Sequence, residues 1–580
     1  MDNEYLNNLR HTSAHLLAKS VKELWPGTKN AIGPSIDDGF YQDFDMGEVK
    51  ISEADLPRIE QKMKEIVKSW KEFSFREVTL EEAEELFKDN PYKIELAREF
   101  AAGGKKLSTN DPGNFLDLCK MGHVENPSKE LAQFKLLSVA GAYWRGSEKN
   151  KMLTRIYGTC FTTAAELEAH LHMLEEAKKR DHRKLGVELG LFVFSDLVGP
   201  GLPLFTPAGT IVRRELENFI AELRLEKNFE RVWIPHIAKS DLYKTSGHWD
   251  KFEDDLFHVK SKKTDTAFVL KPMNCPHHTQ IFAAKMRSYR DMPVRYFETT
   301  TIYRDENTGQ LQGLTRVRSI TQDDSHVFCR KSQIKGEAGI AYDIIAKLYA
   351  TIGMELKIRL STHDPAKMEK YLGTKEVWEE SERNLREVVE ENKKTYSIGV
   401  GEAAFYGPKL DFMGIDSLGR EWQLATIQLD MNQPERFKLE FINEDGVAER
   451  PVMIHVAVLG SVERFMGVLI EHTAGSLPLW LSPVQVLFAP VAERHIEGAQ
   501  KISDEFRAAG IRVAIDVSNE SVGKKVRNAA QQKIPYIVVI GDKELAGGEF
   551  LIRVRGKEEQ EKTSKGEFMS RVLAEIRERS

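Results

Sequence analysis

The sequence predicts an α+β protein built of several domains, because its patterning changes along the chain. A length of 580 residues is too great for a single hydrophobic core. The run AAFYGPKLDFMGIDSLGREWQLATIQLDM indicates successive antiparallel strands. From about residue 485, apolar segments such as VQVLFAPV and IPYIVVI alternate with helical patterns, which predicts an α/β domain with a mainly parallel sheet. We therefore expect three domains, at residues 1–180, 181–484 and 485–580.

The composition is that of an ordinary globular protein, and it excludes several classes. Hydrophobic residues make up 41% of the chain and charged residues 30%. The net charge of -6 gives no overall attraction to nucleic acid, so any such contact must come from local patches. The 4 cysteines are too scattered for a disulfide framework, and neither a signal peptide nor an 18-residue apolar stretch is evident. We expect a soluble, cytoplasmic protein with reduced thiols and no membrane contact.

The first 180 residues carry a group of side chains whose types bind metals or move protons: His11, His15, Lys93, Asp117, Cys119 and His123. Helical periodicity over residues 10–24 places the first two histidines one turn apart on one face. The cysteine and the last histidine have the same spacing in DLCKMGHVENP. Several interpretations stay open: a metal site, a metal-free site that deprotonates water or a substrate hydroxyl, a covalent cysteine nucleophile, or unrelated surface residues.

Two long helices are predicted next. Residues 164–190 predict one charged helix that ends at a glycine and connects two domains; its histidines at 170, 172 and 182 are expected to be solvated or to pack. Residues 208–227 predict an amphipathic helix that leads to a strand at VWIP. This pair of elements is suited to packing against a second copy of the chain, so we expect a homodimer.

The stretch RDENTGQLQGLTRVRSITQDDSHVF, residues 304–328, predicts a polar β-hairpin. Its N-T-G loop lies between two extended runs. Because strand side chains alternate, Gln322, Asp324 and His326 should share one face. An amide, a carboxylate and an imidazole on one face are costly to bury without a ligand. The alternative is an exposed hairpin with scattered charges.

Cys275 and His326 are of the types that bind zinc, and a third ligand must come from elsewhere in the chain. Cys275 is expected at the end of a strand, just before Pro276. A helix-rich insertion is predicted at about 335–395.

A later strand supplies His455 and then leads into a helix through Gly460 and Ser461. Backbone N–H groups at such a helix N-terminus, with Arg464 one turn in, are suited to holding phosphate.

Together these segments resemble the three sequence motifs of class II aminoacyl-tRNA synthetases: TPAGTIVRRELENFI…WIPHI, YFETTTIYRDE…RVRSITQDDSH and LGSVERFMGVLIEH. The segments KPMNCPHH, TQDDSH and MIHVAVLGSVER are similar to those of threonyl-tRNA synthetases in particular. RHTSAHLLA and DLCKMGHV resemble that family's editing domain, and the last block resembles its anticodon-binding domain. The resemblance covers essentially the whole chain. The family commonly has a small ubiquitin-like domain ahead of the editing domain, whereas this chain begins directly at its predicted first helix.

The resemblance implies ligation of L-threonine to tRNA(Thr) with ATP through a threonyl-adenylate, and hydrolysis of mischarged Ser-tRNA(Thr). It implies Mg²⁺ with ATP and a zinc ion held by Cys275, His326 and His455, whose remaining positions accept the amino group and hydroxyl of threonine. His277, at a position where many members have glycine, and His278 are competing ligands. Valine lacks the hydroxyl, which is how the family would refuse it.

The resemblance also assigns roles to individual residues. Catalysis falls to Arg304, Arg464 and His248, ATP binding to Arg304, Arg316, Gln423 and Arg464, and threonine binding to Met273, Gln322, Asp324, Tyr406, Gln428 and Ser461. Editing falls to the N-terminal group, and anticodon contacts to Glu544 and Arg553. Two alternatives remain: a prolyl or histidyl synthetase with a similar C-terminal domain, and a non-catalytic RNA-binding paralogue.

Overall fold

The computed structural model describes residues 3–120, 122–392 and 394–580 of the chain. They form two compact units that meet in sequence at Glu175, within a helix. Within these ranges there is no helix long and apolar enough to cross a membrane.

The first unit is a mixed α and β structure with two sheets. Its helices are α1 (Asn3–Leu24), α2 (Leu56–Ile66), α3 (Leu80–Leu86), α4 (Pro91–Ala102), α5 (Pro127–Glu130) and α6 (Ala164–Arg180). Its strands are β1 (Lys29–Asn30), β2 (Ser35–Ile36), β3 (Gly39–Asp45), β4 (Ser74–Val78), β5 (Leu107–Asp111), β6 (Asp117–Leu118), β7 (Phe134–Tyr143) and β8 (Met152–Cys160). One sheet has the order β1-β3-β8-β7, with β2 beside β3, and the other has the order β4-β5-β6.

Helix α1 confirms the periodicity seen in residues 10–24. Its apolar side chains Leu9, Leu16 and Val21 are fully buried in the core between the helix and the larger sheet. This packing turns the neighbouring polar face of α1 toward β6, so the helix presents its histidines to the end of a short strand.

The prediction of one helix over 164–190 is wrong. Helix α6 ends at Arg180, and a second helix, α7 (His182–Glu188), begins after Asp181. The Asp181 side chain accepts a hydrogen bond from Arg183 N and so caps α7. His182 is buried, as a packing histidine would be.

The middle of the second unit contains an eight-stranded sheet, order β11-β15-β16-β23-β20-β19-β17-β18. The strands of this region are β9 (Phe192–Val193), β10 (Leu204–Phe205), β11 (Glu230–Arg231), β12 (Ile237–Lys239), β13 (His258–Val259), β14 (Phe268–Leu270), β15 (Val294–Tyr303), β16 (Ser319–Cys329), β17 (Glu355–Thr362), β18 (Tyr396–Val400), β19 (Lys409–Ile415), β20 (Glu421–Asp430), β21 (Phe441–Ile442), β22 (Ala448–Glu449) and β23 (Val452–Ser461). Its helices are α8 (Pro207–Leu225), α9 (Ser240–Ser246), α10 (Trp249–Phe252), α11 (Cys275–Ala283), α12 (Ile334–Ile352), α13 (Lys375–Glu391), α14 (Asn432–Arg436) and α15 (Val462–His472).

This sheet confirms the predicted antiparallel core, with a parallel pair at each edge. Three local predictions are corrected. The strand expected at VWIP is β11, at residues 230–231 just before that segment, because these residues pair with β15 whereas Ile234 N donates to the Glu298 side chain. Cys275 begins helix α11 rather than ending a strand, since Pro276 is favoured in a first turn. The region 335–395 also contributes strand β17 to the sheet.

Strands β15 and β16 form the predicted hairpin, but residues 304–318 make a long loop instead of a tight turn. The alternation is as expected: the Asn274 amide contacts both Gln322 and Asp324, and His326 Nε2 lies 3.7 Å from Asp324 Oδ1. The intervening Asp323 points to the other face. It accepts hydrogen bonds from Val458 N and Leu459 N at 2.8 and 2.9 Å.

The last region is an α/β domain with strands β24 (Val486–Pro490), β25 (Val513–Ile515), β26 (Tyr536–Ile540), β27 (Phe550–Val554) and β28 (Gln560–Thr563). Its helices are α16 (Ile496–Ala508), α17 (Val522–Gln531), α18 (Asp542–Leu545) and α19 (Lys565–Glu578). The order is β25-β24-β26-β27-β28, with parallel pairs first and antiparallel pairs last. The sheet is therefore mixed, because the short link from β27 to β28 permits only a hairpin.

The buried Arg224–Asp323 pair generates a stability prediction. Both side chains are fully buried, and Arg224 Nη2 lies 3.0 Å from Asp323 Oδ2. Asp323→Asn leaves the guanidinium without a counter-charge, at a cost of about 3–5 kcal/mol. We expect a clearly lower urea midpoint for the second unit. Glu497→Gln, in the exposed Lys501–Glu497 pair, is the control and should leave the midpoint unchanged; equal midpoints for both variants would contradict the prediction.

Candidate active site and metal centre

A cavity of about 540 Å³ opens on the eight-stranded sheet beside the 304–318 loop. Its lining is rich in polar and basic side chains and includes Arg304, Glu306, Gln312, Thr315, Arg316, Gln322, Trp422, Gln423, Thr426, Gly460, Ser461 and Arg464. The β15–β16 hairpin, the strands β20 and β23 and the start of α15 thus all contribute residues to this cavity. The predicted ATP-binding residues all lie in this lining.

Arg304 and Arg464 are two buried cations of this lining. Burial lowers the pKa of both guanidinium groups. Arg464 Nε is buried and has no hydrogen-bond partner among the described residues, and Arg304 Nη2 donates to the Met273 sulfur at 3.3 Å. Buried guanidinium donors that are not hydrogen-bonded to a carboxylate of the described residues are suited to an anionic ligand such as phosphate.

The step from β23 into α15 has the geometry expected of a phosphate-facing helix start. Ser461 is the N-cap, and its hydroxyl accepts a hydrogen bond from Arg464 N at 3.2 Å. Gly460 has φ +73°, and a Cβ there would lie 2.5 Å from Leu424 O. The backbone therefore needs glycine to turn into the cavity.

Two other predicted ATP residues are held by carboxylates. Arg316 is exposed, and its Nε donates to Glu306 Oε2 at 2.8 Å. Gln423 Nε2 donates to Asp411 Oδ1 at 2.7 Å. Asp411 is fully buried and was not predicted from the sequence; its contact with Gln423 depends on the pairing of β19 with β20.

Beside this cavity, Cys275, His326 and His455 bring a thiol and two imidazoles together, with one ligand atom of each within 4.8 Å of the others. All three are buried, and His326 Nε2 has no hydrogen-bond partner among the described residues. His455 Nε2 lies 3.0 Å from Asp430 Oδ2, which leaves Nδ1 for another partner. One sulfur and two nitrogen donors, with an orienting carboxylate behind one histidine, fit zinc.

The suggested competing ligands do not join this group. His278 lies behind it, with Nδ1 2.8 Å from His326 Nδ1. His277 also lies outside the cluster of ligand atoms. Both are on helix α11, which directs them away from the point where the thiol of Cys275 meets the two strands.

Of the predicted threonine-binding residues, Tyr406 and Asp324 contact the cysteine-histidine cluster, whereas Gln322 and Ser461 line the cavity. Tyr406 OH donates to Gln428 Oε1, and the Tyr406 ring lies 5.2 Å from that of His455. Burial raises the pKa of Asp324 to about 6. Asn274, which sequence reasoning missed, donates to Asp324 Oδ2 at 3.1 Å. Its place next to Cys275 in MNCP was the available signal.

His248 lies at the edge of the same cluster. Its Nδ1 is 2.8 Å from Ser246 Oγ and its Nε2 is 3.9 Å from the Cys275 sulfur. Burial lowers the pKa of His248 to about 4, so the imidazole is neutral near pH 7. A neutral imidazole can accept a proton.

The first unit has a second cluster, which brings together the N-terminal residues predicted from the sequence. His11 Nε2 lies 3.3 Å from His15 Nε2 and 3.2 Å from Cys119 Sγ, and Cys119 Sγ lies 3.5 Å from His123 Nε2. Strand β6 brings Asp117 to the same place.

Asp117 lies beside this cluster and forms a buried ion pair with Lys93. Lys93 Nζ lies 2.8 Å from Asp117 Oδ1, and Asn30, which sequence reasoning missed, donates to Oδ2 at 3.0 Å. Burial lowers the pKa of His11, His15 and His123, so all are neutral near pH 7. The neutral nitrogens suit proton transfer.

The two predicted anticodon residues lie on different elements, Glu544 on α18 and Arg553 on β27. Glu544 accepts a hydrogen bond from Gly541 N at 2.9 Å and so caps α18. Arg553 is exposed on β27.

Comparison with known proteins shows the family to which the chain is related. A profile of the class II tRNA synthetase core domain (G, H, P, S and T) matches residues 257–473, and an anticodon-binding domain profile matches residues 485–575. The threonine–tRNA ligase of Rubrobacter xylanophilus is 47% identical over 577 residues, which is 99% of this chain and 89% of that one. The threonine–tRNA ligase of Staphylococcus carnosus is 46% identical over 576 residues, again 99% and 89% of the two chains.

Among solved structures, the RNA-binding domain of threonyl-tRNA synthetase from Cryptosporidium parvum is similar, with a TM-score of 0.65 and 36% identity. That likeness covers 68% of this chain and 98% of the other.

The state of the Cys119 thiol is testable. Burial, followed by the charge of Asp117, raises its pKa to about 12, so the side chain is a neutral thiol at pH 8. We expect iodoacetamide to modify it far more slowly than a free cysteine, whose pKa is about 8.5. Mass spectrometry of the modified peptide gives the rate, and glutathione in the same tube is the reference. Modification as fast as that of glutathione would show a reactive thiolate and favour a covalent nucleophile.

Proposed function

We propose that this chain, which belongs to the threonine–tRNA ligases, binds ATP in the cavity beside the 304–318 loop and threonine at the adjoining cysteine-histidine cluster. The enzyme ligates L-threonine to tRNA(Thr) at the expense of ATP, which requires Mg²⁺. The observation that carries the site assignment is Arg304. It lines the cavity while its guanidinium contacts Met273 at the edge of the cluster, so one cation can touch both substrates.

Zinc is the metal that the cluster suits. Cys275, His326 and His455 would hold it, and the bound ion supplies open coordination positions for the amino group and hydroxyl of threonine. An apolar pocket separates threonine from valine poorly because the two are nearly isosteric. Recognition of the threonine hydroxyl, which valine lacks, separates the two amino acids better than the shape of the pocket does.

The chain's own polar groups complete that recognition. Asp324 faces the cluster and would accept the hydrogen bond of the threonine hydroxyl. Gln322, Met273, Tyr406, Gln428 and Ser461 would line the rest of the pocket. The Asn274 amide holds Asp324 in place and donates to it, so the carboxylate keeps one oxygen for the substrate.

Adenylate formation needs positioning and charge neutralisation more than a protein nucleophile. A carboxylate oxygen of threonine attacks the α-phosphorus of ATP, and pyrophosphate leaves. Arg304 would bridge the carboxylate and the α-phosphate, while Arg464 would hold the other side of the triphosphate. Arg316 and Gln423 would contact the nucleotide further out, and Arg316 would first release Glu306.

In the second step, the terminal ribose hydroxyl of the tRNA attacks the carbonyl carbon of the adenylate and AMP leaves. His248 is neutral and adjoins the threonine pocket, so it would assist removal of the hydroxyl proton. The helix α10 that follows His248 fixes its backbone.

Serine poses a separate problem, because it offers the same amino group and hydroxyl as threonine. Loss of one methyl group discriminates by only about 1–3 kcal/mol. We assign the second cluster to hydrolysis of Ser-tRNA(Thr): the neutral histidines and Cys119 would bind and deprotonate water, and Lys93 with Asp117 would bind the ribose.

The remaining assignments follow the family. Residues 1–180 would carry editing, 181–484 activation, and 485–580 anticodon recognition through Glu544 and Arg553. Trp233, two residues after the end of β11, is 77% exposed, which supports a homodimer through this segment. A cytoplasmic location fits the same role.

Removal of the metal cluster tests the threonine site. Cys275→Ser should lose bound zinc, measured by mass spectrometry, and should lower threonine-dependent pyrophosphate exchange at least about 100-fold. Cys329→Ser, a buried cysteine of β16 outside the cluster, is the control and should retain zinc. Full zinc content and exchange in Cys275→Ser would refute the site, and exchange with proline or histidine in the wild type would refute the substrate.

The editing assignment has its own test. A His11→Ala, His15→Ala variant should hydrolyse Ser-tRNA(Thr) at least about 100-fold more slowly, the range expected when general acid–base groups are removed. Its threonine-dependent exchange should be normal, because the other unit carries that reaction. His170→Ala in α6 is the matched histidine control. Clearance of Ser-tRNA at the wild-type rate by the double variant would overturn the assignment.

A further inference from the structure

His182, the first residue of α7, is a buried histidine to which no role has been given above. Its Nδ1 lies 2.7 Å from Glu471 Oε1, and its backbone N–H donates to the same oxygen at 3.2 Å. On the other side of the ring, Leu314 N donates to Nε2 at 3.0 Å. Glu471 is in the last turn of α15, and Leu314 is in the 304–318 loop.

These contacts fix the proton of the ring. Because Nε2 accepts from a backbone N–H, the proton lies on Nδ1 and is donated to Glu471. Both nitrogens are therefore satisfied, and the ring ties the loop to the end of α15. A buried N–H such as that of Leu314 is costly to leave without a partner.

The loop is shaped to approach this ring. Gly313 has φ +52°, and a Cβ there would lie 2.3 Å from His182 Nε2. A Cβ at Gly467 on α15 would lie 3.5 Å from His182 Cδ2. The absence of a side chain at residue 313 is thus required for the Leu314 N–H to reach the imidazole.

The network continues to another part of the cavity lining. Glu471 Oε2 accepts from Arg420 Nη2 at 2.6 Å, and Arg420 Nε donates to Asp416 Oδ2 at 2.7 Å. Trp422 Nε1 donates to the same Asp416 oxygen at 3.0 Å. Trp422 lines the cavity, as do the loop residues immediately before and after Gly313 and Leu314.

We propose that His182 is a positioning residue for the nucleotide, which holds the 304–318 loop in the conformation that lines the cavity. The inference rests on the proposed ATP site. Leu314 lies in the part of the loop whose neighbours Gln312, Thr315 and Arg316 line the nucleotide cavity, whereas the residues of the cysteine-histidine cluster lie outside the loop. Loss of the His182–Leu314 bond should therefore weaken ATP binding and leave threonine binding nearly intact.

Two substitutions distinguish the two hydrogen bonds of the His182 imidazole, one to Glu471 and one to Leu314 N. Asn at residue 182 places an amide near the position of Nδ1, so His182→Asn keeps a donor for Glu471 but cannot reach Leu314. Gln is longer, so His182→Gln can place its carbonyl near the position of Nε2 and accept from Leu314 N. We expect KM for ATP in pyrophosphate exchange to rise about tenfold in His182→Asn, with KM for threonine within about twofold, and His182→Gln to recover most of the loss.

The chain offers a matched control in His363. Its Nδ1 lies 2.6 Å from Glu382 Oε1, which also accepts from its backbone N–H at 3.0 Å, and the residue is buried like His182. Its Nε2, however, has no partner among the described residues. His363→Asn should therefore perturb a similar buried pair without changing KM for ATP.

Several results would overturn the proposal. An unchanged KM for ATP in His182→Asn, equal losses for ATP and threonine, or no recovery in His182→Gln would each do so. If His182→Asn fails to fold, Gly313→Ala should raise KM for ATP instead, and an unchanged value would count against the proposal.

Arg464→Ala distinguishes failure of the proposed ATP site from failure of the role given to His182. If Arg464→Ala leaves KM for ATP unchanged, the proposed ATP site is wrong. If Arg464→Ala raises KM for ATP and His182→Asn does not, only the role of His182 is refuted.

Discussion

The arrangement of the eight-stranded sheet depends on the hydrogen bonds and the ion pair made by the buried carboxylate of Asp323. It accepts from the backbone of β23 at residues 458 and 459 and pairs with Arg224 of α8, so one side chain joins two strands and a helix. A charge at this depth is tolerated because each oxygen is hydrogen-bonded and a guanidinium lies beside it. The pairing irregularity between β16 and β23 lies at the same place, between Gln322 and Asp324. Asp323 therefore fixes which residues of β16 face the core and which face the site.

Once that alternation is fixed, the neighbouring polar residues of β16 are committed to the opposite face. There they leave groups with no hydrogen-bond partner among the described residues, such as His326 Nε2, and Arg464 Nε on the adjoining helix likewise has no hydrogen-bond partner among them. Such groups are costly in a folded protein unless a ligand satisfies them. The sheet and this helix thus carry two groups of side chains that each include an atom without a hydrogen-bond partner among the described residues. The cysteine-histidine group suits a metal ion, the arginine group suits an anion, and Arg304 contacts both regions.

Much of this was predictable from the sequence, for identifiable reasons. Alternation on β16, the Ser461 cap and the periodicity of α1 are local patterns, and they came out as expected. The break at Asp181 was not predictable, because the helical pattern continues through it and the new helix direction depends on Glu471, far away in sequence. Asn30 was missed for the same reason, because its partner Asp117 lies far away in sequence, whereas Asn274 could have been found from its place next to Cys275. The mixed C-terminal sheet and the place of β17 depend on strand pairing, which spacing alone does not determine.

X-ray absorption at the zinc edge tests the central claim most directly, that Cys275, His326 and His455 hold one zinc that reads the substrate. The purified full chain should show one sulfur and two imidazole nitrogens around zinc, within the usual Zn–S and Zn–N distances of about 2.3 and 2.0–2.1 Å. Addition of L-threonine should add light-atom ligands, and L-valine should not reproduce the threonine spectrum. A zinc site with a different protein ligand set, or spectra that are identical with and without threonine, would contradict the account.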